Sequence, residues 1–201
     1  MSLADKSFSI FKRDAFLFVT NFGTGIVVAR SLGPEMLGIW VMLSLLVSYA
    51  EAFGRTKADN AAVYFIGQKK YSPSTVIFNL NIIAIATSAI VVMVIIACFD
   101  LIFGWMFSST DADFSFELKL MIIQIPLQFF YLNYTYLHVA EEKIDVFNKM
   151  VLLRAITFTS LAIFLLSVAE IGLLSLVLAT LVSTFVALSY GWKEFEKKNW
   201  Q

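Results

Sequence analysis

Six runs of apolar residues divide the chain, at 14–32, 35–53, 76–99, 116–138, 149–168 and 172–192, and short polar or charged stretches separate them. Each run supplies roughly the 20 residues that carry a helix across about 30 Å of hydrocarbon. The apolar positions are continuous rather than alternating with a period of two, so the pattern predicts helices and not the strands of an outer-membrane barrel. The first two runs meet at the segment RSLGPEMLGIW, Arg30 to Trp40. Pro34 has no backbone N–H and disfavours the α conformation at Gly33, so the first helix is expected to stop at about Leu32. Pro34 then suits the first turn of the next helix. The expected architecture is an all-α integral membrane bundle of six transmembrane helices joined as hairpins, in one membrane domain covering residues 1–201.

Composition agrees: 59% of residues are hydrophobic, 15% are charged, and the mean hydropathy is +0.80. These values lie outside the range of an ordinary soluble domain. Net charge is zero, with 15 basic and 15 acidic residues, but the basic residues are unevenly placed. With the N-terminus inside, thirteen of the 15 fall on cytoplasmic segments: Lys6, Lys12, Arg13, Arg55, Lys57, Lys69, Lys70, Lys143, Lys149, Arg154, Lys193, Lys197 and Lys198. Arg30 and Lys119 alone fall outside. This bias predicts that both termini are cytoplasmic. Trp40 and Trp105 are expected at outer helix ends, and Trp192 and Trp200 at or beyond the inner end of the last helix. Lys12 and Arg13 precede an apolar run as in a secretory signal, but no small-residue cleavage pattern follows. The single cysteine, Cys98, excludes an intramolecular disulfide and is expected to be a buried small hydrophobe.

Polar residues inside apolar runs are the candidates for function. Gln124, Gln128, Tyr131 and Thr135 fall at i, i+4, i+7 and i+11, one stripe along a helix face, with Pro126 beside it as a candidate bend. The stripe suits either the wall of a hydrated cavity or hydrogen bonds between helices. Glu51, Arg55 and Asp59 form a charged ladder if the helix continues past Gly54, which suits a gate or a solvated helix end. Only 16 residues separate Arg30 from Arg13, so either Arg30 lies below the outer surface or both arginines snorkel. A guanidinium held in a cavity would bind phosphate oxygens bidentately. Thr20, Asn21 and Thr24 around Gly23 and Gly25 suit either a loosened helix or packing. Ser175, Ala179, Ser183 and Ala187 recur every four residues, a stripe that admits close helix approach. His138 is expected at the interface.

A single histidine excludes zinc sites built on several, and neither a nucleophile elbow nor a phosphate-binding loop is present. The chain is therefore read as a non-enzyme with no metal or cofactor and no nucleic-acid partner, leaving transport or a structural role. RSLGPEMLGIW resembles the Arg-x-Leu-Gly-Pro-x-x-x-Gly signature of the oligosaccharide flippase and polysaccharide biosynthesis transporters, within the multidrug/oligosaccharidyl-lipid/polysaccharide exporter superfamily. The match falls on Arg30, Leu32, Gly33, Pro34 and Gly38. AEAFGRTKADNAAVYFIGQ (50–68) and EEKIDVFNKMVLLRA (141–155) are weaker echoes in order. The resemblance implies movement of an undecaprenyl-diphosphate-linked oligosaccharide across the bacterial cytoplasmic membrane during O-antigen, capsule or exopolysaccharide assembly. Arg30 and Arg55 are then the expected headgroup contacts, and Gln124 and Gln128 the sugar or water contacts. Glu51, Asp59 and Pro126 take gating or structural roles. Family members have two six-helix lobes, and this chain corresponds to the first. Truncation is the favoured explanation, followed by a second lobe on another chain; a homodimer ranks last, because the basic bias fixes one orientation. The alternative function is a structural or assembly subunit of a polysaccharide-biosynthesis membrane complex.

Overall fold

Gly33 adopts φ 75 and ψ 175, a backbone region that glycine alone occupies readily. With Pro34 following, it breaks a helix that otherwise runs from Leu3 to Gly54 (α1). The break reverses the chain. Leu17, before it, and Glu51, after it, line one cavity, whereas an unbroken helix would hold them about 50 Å apart at 1.5 Å per residue. Both arms lie along the same later helix: Thr24 on the first arm meets Thr159, and Trp40 on the second stacks on Phe158.

The computed structural model describes residues 3–55, 58–107 and 114–199, and every element among them is helical. After α1 come α2 (Ala58–Gly67), α3 (Pro73–Ala97), α4 (Phe99–Phe107), α5 (Ser115–Ala140), α6 (Ile144–Phe164), one π turn (Leu165–Ala169) and α7 (Leu173–Asn199). Ser72 caps α3, accepting a hydrogen bond from the Thr75 backbone N–H, and Pro73 occupies the first turn, where no N–H is needed. α2 and the short α4 were not expected from the apolar runs. α6 begins five residues before its run, and α7 continues through the charged tail as far as Asn199.

Among the described residues, four stretches are long and apolar enough to cross a membrane: Phe8–Gly54, Pro73–Ala97, Ile144–Ala169 and Leu173–Lys197. The chain is a helical membrane protein. α5 is as long, at 26 residues, but is not one of the four, and its position explains why. Contacts with α1, α2, α3, α6 and α7 surround it, and its buried residues include Gln124, Gln128, Asn133, Thr135 and His138. A helix sheltered by its neighbours can be polar where a lipid-facing one cannot. Large apolar side chains instead face outward on the periphery, including Phe18, Phe22, Phe78, Ile85, Met93 and Phe185. Ser175, Ala179, Ser183 and Ala187 are all buried on α7, the close approach expected of a small-residue stripe.

Several expectations need correction. The ladder Glu51–Arg55–Asp59 required a continuous helix, but α1 ends at Gly54. A Cβ there would come within 2.6 Å of Val91 Cγ2 and 3.0 Å of the Phe129 ring, and α2 starts afresh at Ala58. The side chains of Asp59 and Trp105, together with Lys57, Asp111, Asp113 and Trp200, lie outside the described residues. Cys98 is exposed, at the C-terminal cap of α3, instead of buried. His138, in the last turn of α5, is fully buried within the bundle. Its Nε2 donates to the Gly191 carbonyl at 3.0 Å, where the absent Cβ of Gly191 leaves room for Met150. No bend occurs at Gly23 or Gly25; Thr24 donates to the Thr20 carbonyl and meets Thr159 Oγ1 at 2.9 Å, which is packing between α1 and α6.

Candidate functional site

A cavity of about 430 Å³ lies between both arms of α1, α5, α6 and α7, within the ~300–1,000 Å³ typical of small-molecule sites. α5 contributes Gln124, Gln128 and Tyr131, three of the four polar stripe residues. The fourth, Thr135, instead donates to the Tyr131 carbonyl at 2.7 Å. The second arm of α1 contributes Trp40, Ser44, Ser48 and Glu51, and the first contributes Leu17 and Asn21. Arg154 enters from α6, with Thr180 and Ser183 from α7.

The hydrogen bonds fix how the two glutamines are held. Thr184 Oγ1 donates its one proton to the Thr180 carbonyl at 2.9 Å, so it can only accept from Gln124, whose Nε2 lies 2.9 Å away. That leaves Gln124 Oε1 with no partner although the residue is 1% exposed. Gln128 is held in the same way. Its Nε2 donates to the Glu51 carboxylate at 3.1 Å, an acceptor only, and its Oε1 is unpartnered. The amide nitrogens of the stripe thus join helices, and two buried carbonyl oxygens are left over.

The hydroxyls add to this polarity. Ser44 donates to the Trp40 carbonyl, Ser48 to Ser44, Thr180 to Leu176 and Ser183 to Thr180, at 2.8–3.0 Å. Each has used its proton on a backbone carbonyl about one turn earlier, so only lone pairs remain for the cavity. On α7 and the second arm of α1 these hydroxyls offer acceptors, while Trp40 and Tyr131, which line the cavity beside them, carry an N–H and an O–H that can donate. Asn21 from the first arm and Arg154 from α6 add further donors from the other side.

Arg154 is the one cation lining the cavity among the described residues. It lies some 15 Å along α6 from the helix start, its guanidinium 4.7 Å from the centre of the Tyr131 ring. Among the described residues it has no carboxylate partner and no hydrogen-bond acceptor. By sequence it falls with the basic residues on the cytoplasmic flank of its run. Its position five residues inside the 149–168 run was the available signal, because an arginine within an apolar span is expensive unless it faces a polar interior.

The other proposed contacts are arranged differently. Arg55 does not line the cavity; it pairs with Glu51 at 3.6 Å and stacks over Tyr136, so it neutralises the carboxylate that the cavity shares. Arg30 is exposed near the reversal and does not line the cavity. Pro126 lies within α5 between the two glutamines, partly buried, and does not line it either. With Glu51 balanced by Arg55, the uncompensated charge at the cavity is that of Arg154. Among the described residues no group of His, Cys, Asp and Glu is placed to hold a metal ion. Comparison with known families, curated proteins and solved structures finds no match to this chain.

Proposed function

We propose that the chain is a lobe of a transporter that moves a lipid-linked oligosaccharide, of the undecaprenyl-diphosphate type, across the bacterial cytoplasmic membrane. In this reading both arms of α1 cross the bilayer, as do α3, α5, α6 and α7, giving six spans with both termini inside. It is not an enzyme, it uses no cofactor, and a second six-helix lobe on another chain completes it. The observation that carries the reading is the cavity: Arg154, which among the described residues has no carboxylate partner, shares it with the hydroxyls of Ser44, Ser48, Thr180 and Ser183, whose lone pairs remain free to accept. A diphosphate needs a cation, and sugar hydroxyls need acceptors. Both must be offered where water is scarce if a polar headgroup is to pass through hydrocarbon. Arg154 takes the headgroup role first assigned to Arg30, while Gln124 and Gln128 keep theirs, and the signature around Gly33 supplies the reversal that brings the α1 arms to the site.

The test is transport by the chain in proteoliposomes carrying a fluorescent diphosphate-linked glycolipid, read as the fraction quenched by an impermeant reductant. Wild-type protein reconstituted with a partner lobe co-expressed from its native gene neighbourhood should raise that fraction above the half already on the outer leaflet, and Arg154→Gln with the same lobe should not. A wild-type pair that leaves it at one half overturns the reading. It would favour the structural or assembly role, which the Gln124–Thr184 and Gln128–Glu51 bonds between helices also suit.

A further inference from the structure

A second hollow lies on the outside of the bundle, between the first arm of α1 and α6, and is built from a different set of residues. Its long axis follows both helices. On α6, Asn148, Leu152 and Ile156 succeed one another at i, i+4 and i+8, and on α1, Ser9, Lys12, Arg13 and Phe16 cover the matching two turns. The two helices are polar at the same end. Arg13 donates from Nη1 to Asn148 Oδ1 at 2.8 Å, Asn148 donates from Nδ2 to Ser9 Oγ at 2.9 Å, and the guanidinium lies 4.7 Å from the centre of the Phe147 ring. Beyond this network the groove is apolar for about 12 Å, lined by Phe16, Leu152 and Ile156.

Charge at the polar end has a definite sign. Arg13 is balanced by Asp14, which accepts from its Nε and Nη2 at 2.9 and 2.7 Å. Lys12 is not balanced: it is exposed, its ammonium lies 4.3 Å from the centre of the Phe8 ring, and among the described residues it has no carboxylate partner. The groove thus presents a net positive, donor-rich head followed by an apolar trough parallel to membrane-length helices.

We propose that this groove is a binding site for an anionic phospholipid of the leaflet on the Lys12 side. The phosphate sits at Lys12 and the free N–H groups of Arg13, and one acyl chain lies against Phe16, Leu152 and Ile156. A basic pocket between transmembrane helices that opens onto an apolar channel is the arrangement by which such headgroups are held. The site is independent of the cavity and of the transport reading, and it gives the α1–α6 joint a lipid as its third component.

The experiment is native mass spectrometry of the full chain released from micelles doped with equal amounts of phosphatidylglycerol and phosphatidylcholine of identical acyl chains. Wild-type protein should retain phosphatidylglycerol in preference. Lys12→Gln removes the unbalanced charge without touching the Arg13–Asn148 network, and Leu152→Trp fills the trough. Each should lower phosphatidylglycerol retention at least several-fold, while circular dichroism confirms unchanged helicity. Equal retention of the two lipids by wild-type protein overturns the proposal. So does unchanged phosphatidylglycerol retention in both variants, or a dimer of the chain that excludes lipid from the groove.

Discussion

Arg154 stacks on Tyr131 without an anionic partner, so its charge is available to a ligand. Hydrogen bonds to a charged group contribute about 1.5–3 kcal/mol each. Replacing Arg154 by Gln should therefore weaken binding of a diphosphate-linked glycolipid about 10- to 100-fold, measurable by titration of the purified chain. Gln124 allows a cleaner separation of site from scaffold. Its Oε1 is buried without a partner and Thr184 keeps its bond to the Thr180 carbonyl, so Gln124→Leu should change thermal stability by no more than about 1 kcal/mol while impairing ligand binding. A larger destabilisation with binding intact would show that Gln124 is there only to join α5 to α7. Spacing alone revealed the glutamine stripe, because polar residues at i and i+4 within an apolar run must share a face. It could not reveal which amide atoms are left over, since that depends on Thr184 and Glu51, 60 and 77 residues away. Arg154 is hidden for a related reason: near the start of a run, an arginine that lines a cavity and one that flanks a membrane look alike in sequence.

At the scale of the helix, the reversal at Gly33 brings the two arms of α1 to the cavity. The stop was legible in the Gly-Pro pair, because the restriction that proline places on the preceding residue is local. The end of α1 at Gly54 was not, since it is tied to packing against Val91 and Phe129, residues far along the chain. These two glycines should respond to substitution in different ways. At Gly33 a Cβ meets nothing within 4 Å, and the cost of Gly33→Ala is backbone strain, about 1–3 kcal/mol. At Gly54 the backbone is helical, and the cost of Gly54→Ala is overpacking, also about 1–3 kcal/mol. Gly38 is the control: it is helical, and an added Cβ there meets nothing within 4 Å, so Gly38→Ala should leave stability unchanged or raise it by up to about 1 kcal/mol. The heat-resistant fraction in detergent would rank them. Trimming Val91 to Ala should rescue Gly54→Ala and leave Gly33→Ala unrescued.

For the whole molecule, the packing sorts the basic residues by end. Arg13 is bonded to Asn148 and Arg55 stacks over Tyr136. Lys143 pairs with Glu141, three residues beyond His138, and the buried bond from His138 to Gly191 brings in the segment that carries Lys193 and Lys197. All of these lie away from Gly33, whose end of the bundle carries Arg30, with Val28 packed against Leu166 and Leu176. Since basic residues are retained on the cytoplasmic side, the crowded end should face inward and the Gly33 reversal outward. Each arm of α1 is long enough to cross about 30 Å of hydrocarbon unaided. In a Cys98→Ser background, a membrane-impermeant maleimide applied to intact cells should therefore modify Ser31→Cys. Lys12→Cys and Lys193→Cys should react only after permeabilisation. If Lys12→Cys and Ser31→Cys reacted from the same side, the first arm would lie on the membrane instead of through it. The cavity between the arms would then be bounded by headgroups, and Arg154 would need no buried ligand to account for its position.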